Sequence, residues 1–419
     1  MKNIAQYCKV FLLLIAVYFA FGVVSSFLPD RSIKRHIAES APVISAEGLY
    51  PKAIISVEQC QMDNFTDALI MNQIHSIDRQ HPVKSAMRMV RMSEKGRDWD
   101  QTGLLLQTVG GETLEEQHYA RYWHGSSFLY RILFLMMDYT TMKLILFIVS
   151  SILLLALALA YYRQAGWAKT FALSAGFLFT YGFVTQFSLQ FFPVLALTLI
   201  SSIIIVKRNE SDNFGLFFFI IGSLVCYFDL LTTPLLTLGI PLAVWLSLRQ
   251  EDNFDLKDNL LKTIHFTLLW GLGFALTFGM KWALATLILG QNIFADAYEV
   301  SLYRMEAEDF TRWDAITKNF GMLNLGIIGI IGIIALVFLI FNLLGHKRLN
   351  HKKSILFLLI GLAPYAWYFL LANHSHVHWW FTFRLQAITV VCLFFVLCGG
   401  FHATKDGKSH VFSSRLSFF

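Results

Sequence analysis

Long apolar runs dominate the chain. The first extends from about Lys9 to Leu28 and ends at Pro29, and a polar stretch follows it to about residue 125. Further runs lie at approximately 141–162, 168–186, 189–206, 214–230, 233–248, 263–286, 321–345, 354–373 and 383–400. About 20 apolar residues cross a bilayer as a helix. Because a backbone in lipid must satisfy its own hydrogen bonds, the pattern predicts about ten transmembrane helices.

The predicted fold class is therefore an all-α polytopic membrane protein, with a large mixed or helical outer loop after the first helix. It divides into residues 1–28 as the first transmembrane helix, 29–125 as an extracytoplasmic loop with amphipathic helices, 126–286 as transmembrane helices 2–7, 287–320 as a second extracytoplasmic loop, and 321–419 as transmembrane helices 8–10 with a cytoplasmic tail.

Composition and charge agree with a membrane protein. Hydrophobic residues make up 56% of the chain and charged residues 15%, where an ordinary soluble domain has about 25% charged residues. This composition excludes a soluble enzyme, a disordered chain and a nucleic-acid binder. Short basic loops face the cytoplasm, and here they contain Arg163, Lys169, Lys207, Arg208, Arg249, Lys257, Lys262, Lys347, Arg348, Lys352 and Lys353. We therefore expect a plasma or inner membrane protein with both termini cytoplasmic.

Two aspartates in the first outer loop are candidates for catalysis. Residues 61–76 read QMDNFTDALIMNQIHS, with apolar residues at helical spacing. Asp63 and Asp67 fall four residues apart on one face, and Asn64 can cap the helix. The simpler interpretation is an acidic helix start that the helix dipole favours. The alternative is that Asp63 or Asp67 acts as a general base at the membrane surface, or binds a divalent cation such as Mg²⁺ or Mn²⁺.

An aromatic segment closes the first outer loop. Residues 117–131 read QHYARYWHGSSFLYR, in which Tyr122, Trp123 and His124 stand among further rings and arginines. Aromatic side chains normally settle at membrane interfaces, but that preference does not explain two histidines and two arginines. Aromatic faces with polar edges suit sugar rings, so the segment is a candidate substrate-binding site.

A lysine interrupts the seventh apolar run. Lys281 lies in FGMKWALATLILG. If the helix ends near Trp282, Lys281 reaches the outer interface by snorkelling. If the helix continues to Leu289, Lys281 is buried and needs an anionic partner, for which a lipid phosphate would serve.

A dense polar cluster separates the last two predicted helices. Residues 373–384 read NHSHVHWWFTFR. His374, His376 and His378 alternate, so an extended turn would point them in the same direction, and Arg384 begins the tenth helix. Metal ligation is one interpretation, but no residue is assigned as a metal ligand. Binding of a phosphate leaving group fits better, because Arg pairs with phosphate in bidentate geometry.

The layout resembles the GT-C superfamily, multi-pass glycosyltransferases that use polyprenyl-phosphate-linked sugars. The resemblance covers the topology of the whole chain and rests on the segments DNFTD, YWHG and NHSHVHWWFTFR. It implies that an aspartate of the early loop, Asp63 or Asp67, activates the acceptor hydroxyl, and that basic or histidine side chains neutralise the lipid phosphate. Many members carry adjacent acidic residues close to the first helix, and this chain does not.

The expected function is an inverting glycosyltransferase that moves a sugar from a polyprenyl-phosphate donor to an extracytoplasmic glycan, lipid or protein acceptor, with membrane lipids as its surroundings. The outer loops contain both an acidic base and cations at the level of the headgroups, as this chemistry requires. A transporter or flippase for a lipid-linked saccharide is the main alternative. Another membrane transferase and a non-catalytic scaffold are further possibilities.

Overall fold

A computed structural model describes residues 2–208, 213–250, 254–307, 309–344 and 350–398. These residues are almost wholly helical, with one two-stranded sheet, which confirms the helical class predicted from the apolar runs. The predicted cytoplasmic tail after residue 398 lies outside the described residues.

The first outer loop forms a small folded unit on top of the first helix. Helix α1 (Lys2–Ser26) is followed by five short helices and a hairpin. The elements are α2 (Asp30–Glu47), α3 (Asn64–His75), α4 (Pro82–Arg88), β1 (Arg91–Ser93), α5 (Gln101–Gly110), β2 (Glu115–Gln117), antiparallel to β1, and α6 (Gly125–Leu133). Isoleucines on one face of α2 pack against the apolar face of α3, which gives the unit its own core.

One buried arginine fastens this unit to the membrane helix. Arg131 of α6 donates hydrogen bonds to the carbonyls of Ser25 (3.0 Å) and Ile74 (2.8 Å). It also pairs with Asp30 at 2.5 Å. Since these partners lie at the end of α1, the end of α3 and the start of α2, a single side chain fixes the three elements relative to each other.

Five helices form the first part of the bundle. They are α7 (Tyr139–Phe179), α8 (Phe192–Lys207), α9 (Gly215–Phe228), α10 (Leu236–Ser247) and α11 (Leu256–Leu289). Helix α7 covers two predicted spans and breaks at Gly166, whose φ of 77° lies in the region that favours glycine. A short 3₁₀ helix (Gly182–Phe187) leads from α7 to α8.

The C-terminal part contains eight further helices within the described residues. They are α12 (Ile293–Met305), α13 (Arg312–Gly321), α14 (Leu325–Leu344), α15 (His351–Gly361), α16 (Ala363–Leu370), α17 (Ala372–Val377), α18 (Trp379–Thr382) and α19 (Ala387–Leu397). A 3₁₀ turn (Phe383–Gln386) joins α18 to α19.

The described residues contain fewer candidate membrane spans than the ten predicted from the apolar runs. Five helical stretches in the described residues are long and apolar enough to cross a bilayer, or six if the bent pair Arg312–Gly321 and Gly326–Val337 is one span. Helices α8, α9 and α10 have 16, 14 and 12 residues. At about 1.5 Å per residue they fall short of the roughly 30 Å hydrocarbon core. Ten complete spans are therefore not confirmed.

The pair α9 and α11 packs at very short distance. A Cβ atom on Gly222 would lie 2.0 Å from the carbonyl oxygen of Trp270, and one on Gly273 would lie 2.1 Å from that of Phe219. Ser223 and Thr277 share a hydrogen bond of 2.8 Å at the same contact. Small residues at such crossings let two backbones approach in lipid, so this pair is a rigid part of the bundle.

The predicted cytoplasmic loops meet at one end of the bundle. The Nζ atoms of Lys169 and Lys353 both donate to the carbonyl of Ser247, at 3.0 and 3.2 Å. At the other end, the Gln59 amide donates to the carbonyl of Met322 (2.9 Å). These contacts join segments that we predict to lie on the same side of the membrane, and the side on which each segment lies stays a prediction.

Candidate functional site

Asp63 begins helix α3. Its carboxylate accepts hydrogen bonds from the Thr66 backbone N–H (3.0 Å) and the Thr66 hydroxyl (2.7 Å). Asp63 is therefore the N-cap, and the prediction that Asn64 caps this helix is wrong, because Asn64 already lies in the first turn. The Asn64 amide instead donates to Glu47 (2.9 Å) and to the Gly48 carbonyl (3.0 Å).

Asp67 is held by four hydrogen-bond donors. One oxygen accepts from the Ser188 hydroxyl (2.9 Å) and the Gln190 N–H (3.0 Å). The other accepts from the Tyr139 hydroxyl (2.9 Å) and the Leu189 N–H (3.0 Å). A carboxylate has about four acceptor positions, so Asp67 is saturated and joins α3 to the turn before α8.

Asp63 and Asp67 differ in the number of lone pairs that remain free to accept a hydrogen bond. Burial raises the pKa of Asp63 to about 7, although the hydrogen bonds from Thr66 and the positive charge of Arg384 limit the rise. Burial raises the pKa of Asp67 to about 6, limited by its four hydrogen bonds. A general base works best when its pKa lies near the working pH. Only Asp63 combines such a pKa with unused lone pairs.

Arg384 lies beside the segment that precedes Asp63. It is 2% exposed, and its Nη2 donates to the carbonyls of Gln59 (3.0 Å) and Gln61 (3.1 Å). The guanidinium carbon is 5.3 Å from the Phe191 ring centroid. Its Nε has no hydrogen-bond partner among the described residues. The structure thus brings Arg384 together with Asp63, which lies more than 300 residues earlier in the chain.

A small cavity lies beside Arg384. It has about 20 Å³ and is lined by Arg384, Phe191 and Thr233 among others. A larger groove of about 390 Å³ runs between the two halves of α7 and the 3₁₀ helix, and its lining is mostly apolar. Phe177 lines both the cavity and the groove, so its side chain connects the apolar groove to the surroundings of the buried arginine.

The three histidines do not point in the same direction. His374 and His376 lie in helix α17 and His378 is its C-cap, so the predicted extended turn is wrong. His374 and His378 lie one helical turn apart, with ring centroids 4.9 Å from each other. His376 faces elsewhere and stacks on Phe310 at 4.0 Å. The Phe381 ring contacts both His374 and His378 and also Phe191, the ring that lies against Arg384, so two aromatic rings connect the histidines to Arg384.

The aromatic segment before α6 is buried and does not form an interfacial belt. Tyr122, Trp123 and His124 are each 1% exposed. The Trp123 indole N–H donates to the Thr277 carbonyl (2.8 Å), and the His124 Nε2 lies 2.8 Å from the Tyr119 carbonyl. Burial lowers the pKa of His124 to about 3, so this histidine is neutral. Trp123 packs the outer unit against the bundle, whereas Tyr122 faces α12.

Lys281 does not snorkel. Helix α11 continues to Leu289, and Lys281 is 0% exposed. Its Nζ donates to the Met87 carbonyl (3.0 Å) and lies 5.6 Å from the Trp123 ring centroid. Lys281 forms no ion pair with any of the described residues. Its hydrogen bond to Met87 links α4 to α11, and the structure does not place Lys281 next to Arg384.

Two residues near the histidines had no role in the sequence predictions. Arg304 of α12 lies 5.5 Å from the Tyr122 ring centroid. Asp229 is buried, and its carboxylate accepts the Thr232 N–H at 2.9 Å. In sequence Arg304 is one charge among many on a mixed surface helix, so the pattern carried no signal for it.

The described residues contain no group of three or more His, Cys, Asp or Glu side chains that could hold a metal ion. Comparison with known proteins gave no significant match to a protein family, to a curated protein or to a solved structure. The function must therefore be argued from the chemistry of the site.

Proposed function

We propose that the chain is a membrane glycosyltransferase of the GT-C type, which moves a sugar from a polyprenyl-phosphate donor to an extracytoplasmic acceptor. The observation that carries the proposal is the pairing of Asp63, a buried carboxylate with free lone pairs, with Arg384, a buried cation near an apolar groove. Sugar transfer from a donor of this class needs three features: a base for the acceptor hydroxyl, a cation for the donor phosphate, and an apolar path for the polyprenyl chain.

The proposed reaction has one step. The acceptor hydroxyl gives its proton to Asp63 while its oxygen forms a bond to C1 of the sugar. The bond from C1 to the phosphate oxygen breaks, and the lipid phosphate leaves with the electron pair. Arg384 stabilises the negative charge that develops on the leaving group. Removing one such donor costs about 10²–10³ in rate in other enzymes.

Two movements accompany substrate binding in this proposal. Asp63 is 2% exposed, so the acceptor reaches it only after the segment 48–62, which carries Tyr50, moves outward. The cavity beside Arg384 has about 20 Å³, enough for a single water. The lipid phosphate therefore enters when Phe177 turns aside and joins this cavity to the apolar groove.

A transfer assay tests the proposal. Purified protein is incubated with labelled polyprenyl-phosphate sugars and a membrane-derived acceptor extract. We expect transfer by the wild type and a loss of about 10²–10⁴ in Asp63→Asn, the usual contribution of a general base. Asp78→Asn is the matched control, because Asp78 is an exposed carboxylate of the same outer unit.

Full transfer activity in Asp63→Asn would refute Asp63 as the base. Movement of the lipid-linked sugar across proteoliposomes without any transfer, equal in wild type and Asp63→Asn, would favour the flippase alternative.

A further inference from the structure

A second polar cluster lies around Arg304. Helix α12 packs against α17, which brings Arg304 close enough for its charge to lower the pKa of both His374 and His378, in addition to the larger effect of burial. The Tyr122 ring lies on the same guanidinium. Arg304 and His378 are partly exposed, so the cluster can be reached from the outer face.

His374 presents a buried ring nitrogen without a partner to this cluster. Its Nε2 is buried and forms no hydrogen bond with any of the described residues. Burial lowers the pKa of His374 well below its usual range, so the ring is neutral, and Nε2 donates or accepts a hydrogen bond according to the tautomer. A buried polar atom without a partner costs free energy unless a ligand satisfies it.

The backbone at Leu231, whose carbonyl acts on the pKa of His374, is itself strained. Leu231 has a φ of 71°, which a branched side chain rarely adopts. Asp229 maintains this turn by accepting the Thr232 N–H with both oxygens, at 2.9 and 3.1 Å. Strain of this kind persists where the surrounding structure enforces it, often at binding sites.

Arg304 is the one cation of the cluster that stays charged near neutral pH. Burial also lowers the pKa of His378, to about 4. No carboxylate of the described residues forms an ion pair with Arg304, although Asp229, whose oxygens accept the Thr232 N–H, lies near enough for its charge to raise the pKa of Arg304. The cluster thus offers a guanidinium without an ion-pair partner, one buried ring nitrogen without a hydrogen bond, and an aromatic ring.

We infer that this cluster binds an acidic sugar, a ring with a carboxylate or phosphate group, as part of the acceptor. The inference rests on the proposed function, because it assigns the acceptor side of the same reaction. Arg304 binds the acidic group, and Nε2 of His374 forms a hydrogen bond with a ring hydroxyl. Phe381 and Phe191 connect this site to Arg384, where the donor phosphate is proposed to bind.

Binding without donor lipid tests the inference separately from transfer. Saturation-transfer NMR on the full-length protein in detergent compares glucuronate, glucose 6-phosphate and glucose. We expect the two acids to bind at least about tenfold more tightly than glucose, and Arg304→Gln to weaken only the acids, by about 10- to 100-fold. Arg312→Gln, on the neighbouring helix α13, is the matched control and should bind like wild type.

His374→Asn and His374→Gln test the role of Nε2. Asn is shorter than His and has no group at the position of Nε2, so all three sugars should bind more weakly. The amide of Gln reaches that position, so His374→Gln should keep more of the binding. Equal binding of acids and glucose by wild type, or unchanged binding in Arg304→Gln, would overturn the inference.

Inorganic phosphate distinguishes a sugar site from a plain anion site. We expect it to displace glucose 6-phosphate only at much higher concentration than glucuronate does. Equal displacement would refute recognition of the sugar. Acid binding that persists in a protein without transferase activity would overturn the proposed function alone.

Discussion

Replacing Asp67 by Asn should destabilise the protein, whereas replacing Asp63 should not. Each oxygen of Asp67 accepts one hydroxyl and one backbone N–H. The hydroxyls of Tyr139 and Ser188 can rotate to accept a hydrogen bond from the new NH₂ group, but a backbone N–H cannot. In either orientation of the Asn side chain, its NH₂ group therefore faces a backbone N–H, that of Leu189 or that of Gln190. Two donors then oppose each other, and no hydrogen bond forms between them.

The cost follows from this mismatch. Placing NH₂ toward Gln190 is the less costly choice, since the Gln190 N–H keeps a 3.2 Å contact with the Ser188 hydroxyl. Burying unsatisfied donors costs about 1–3 kcal/mol each, so the whole change should cost about 2–4 kcal/mol. For a chain of this length that lowers the melting temperature by about 2–5 °C.

Asp63→Asn is the internal comparison. Its oxygen can accept the Thr66 N–H while its NH₂ donates to the Thr66 hydroxyl, and Asn is as good an N-cap as Asp, so the loss should stay within about 0.5 kcal/mol. Thermal unfolding of both variants in one detergent, followed by the monodisperse fraction on gel filtration, measures the difference. Equal melting temperatures for Asp67→Asn and wild type would refute the argument that Asp67 is saturated.

Three further predictions follow from the same structure. Arg384→Lys should reduce transfer strongly, because one ammonium group cannot donate to the carbonyls of Gln59 and Gln61 and also bind a phosphate. If this variant transfers sugar at the wild-type rate, Arg384 has only a structural role. Transfer should rise with pH to a plateau with a midpoint near the Asp63 pKa of about 7, and a profile without this step would contradict the assignment. A reporter fused after Lys207 should lie in the cytoplasm, and a reporter fused within 60–100 should lie outside. The reverse result would refute the proposal that Asp63 and Arg384 act on the outer side of the membrane.

Stability should also depend on pH. The folded-state pKa of Asp63 is raised above its ordinary value, so the protonated form favours folding. Its contribution is present at low pH and is lost as the pH rises from about 4 through about 7. Melting curves measured across this range should show a smaller decline for Asp63→Asn than for wild type. An identical decline in both would show that Asp63 is not the titrating group.

Patterns along the chain predicted the helical class and the separation of α7 into two apolar runs, 141–162 and 168–186, because hydropathy is a local property of the sequence. They did not predict that the acceptor positions of Asp67 are occupied by hydrogen bonds from the turn at 188–190, since those bonds join residues more than 100 positions apart. The histidines illustrate the same limit. Alternation in HSHVH is equally compatible with a strand and a helix turn, and only packing against α12 and α13 selects the helix. Arg304 could not be found at all, because nothing in its local sequence distinguishes it from its charged neighbours.

The hydrogen bonds of Asp67 also set an order of assembly. The outer unit is synthesised before the turn at 188–190, which lies 121 to 123 residues later. Until that turn has passed through the insertion machinery, the Asp67 carboxylate has no backbone N–H groups to accept and α3 cannot complete its packing. The packing of α3 can therefore be completed only after the third of the predicted membrane segments has been synthesised. Truncated chains that end before it would expose the unfinished face of α3 to quality-control proteases.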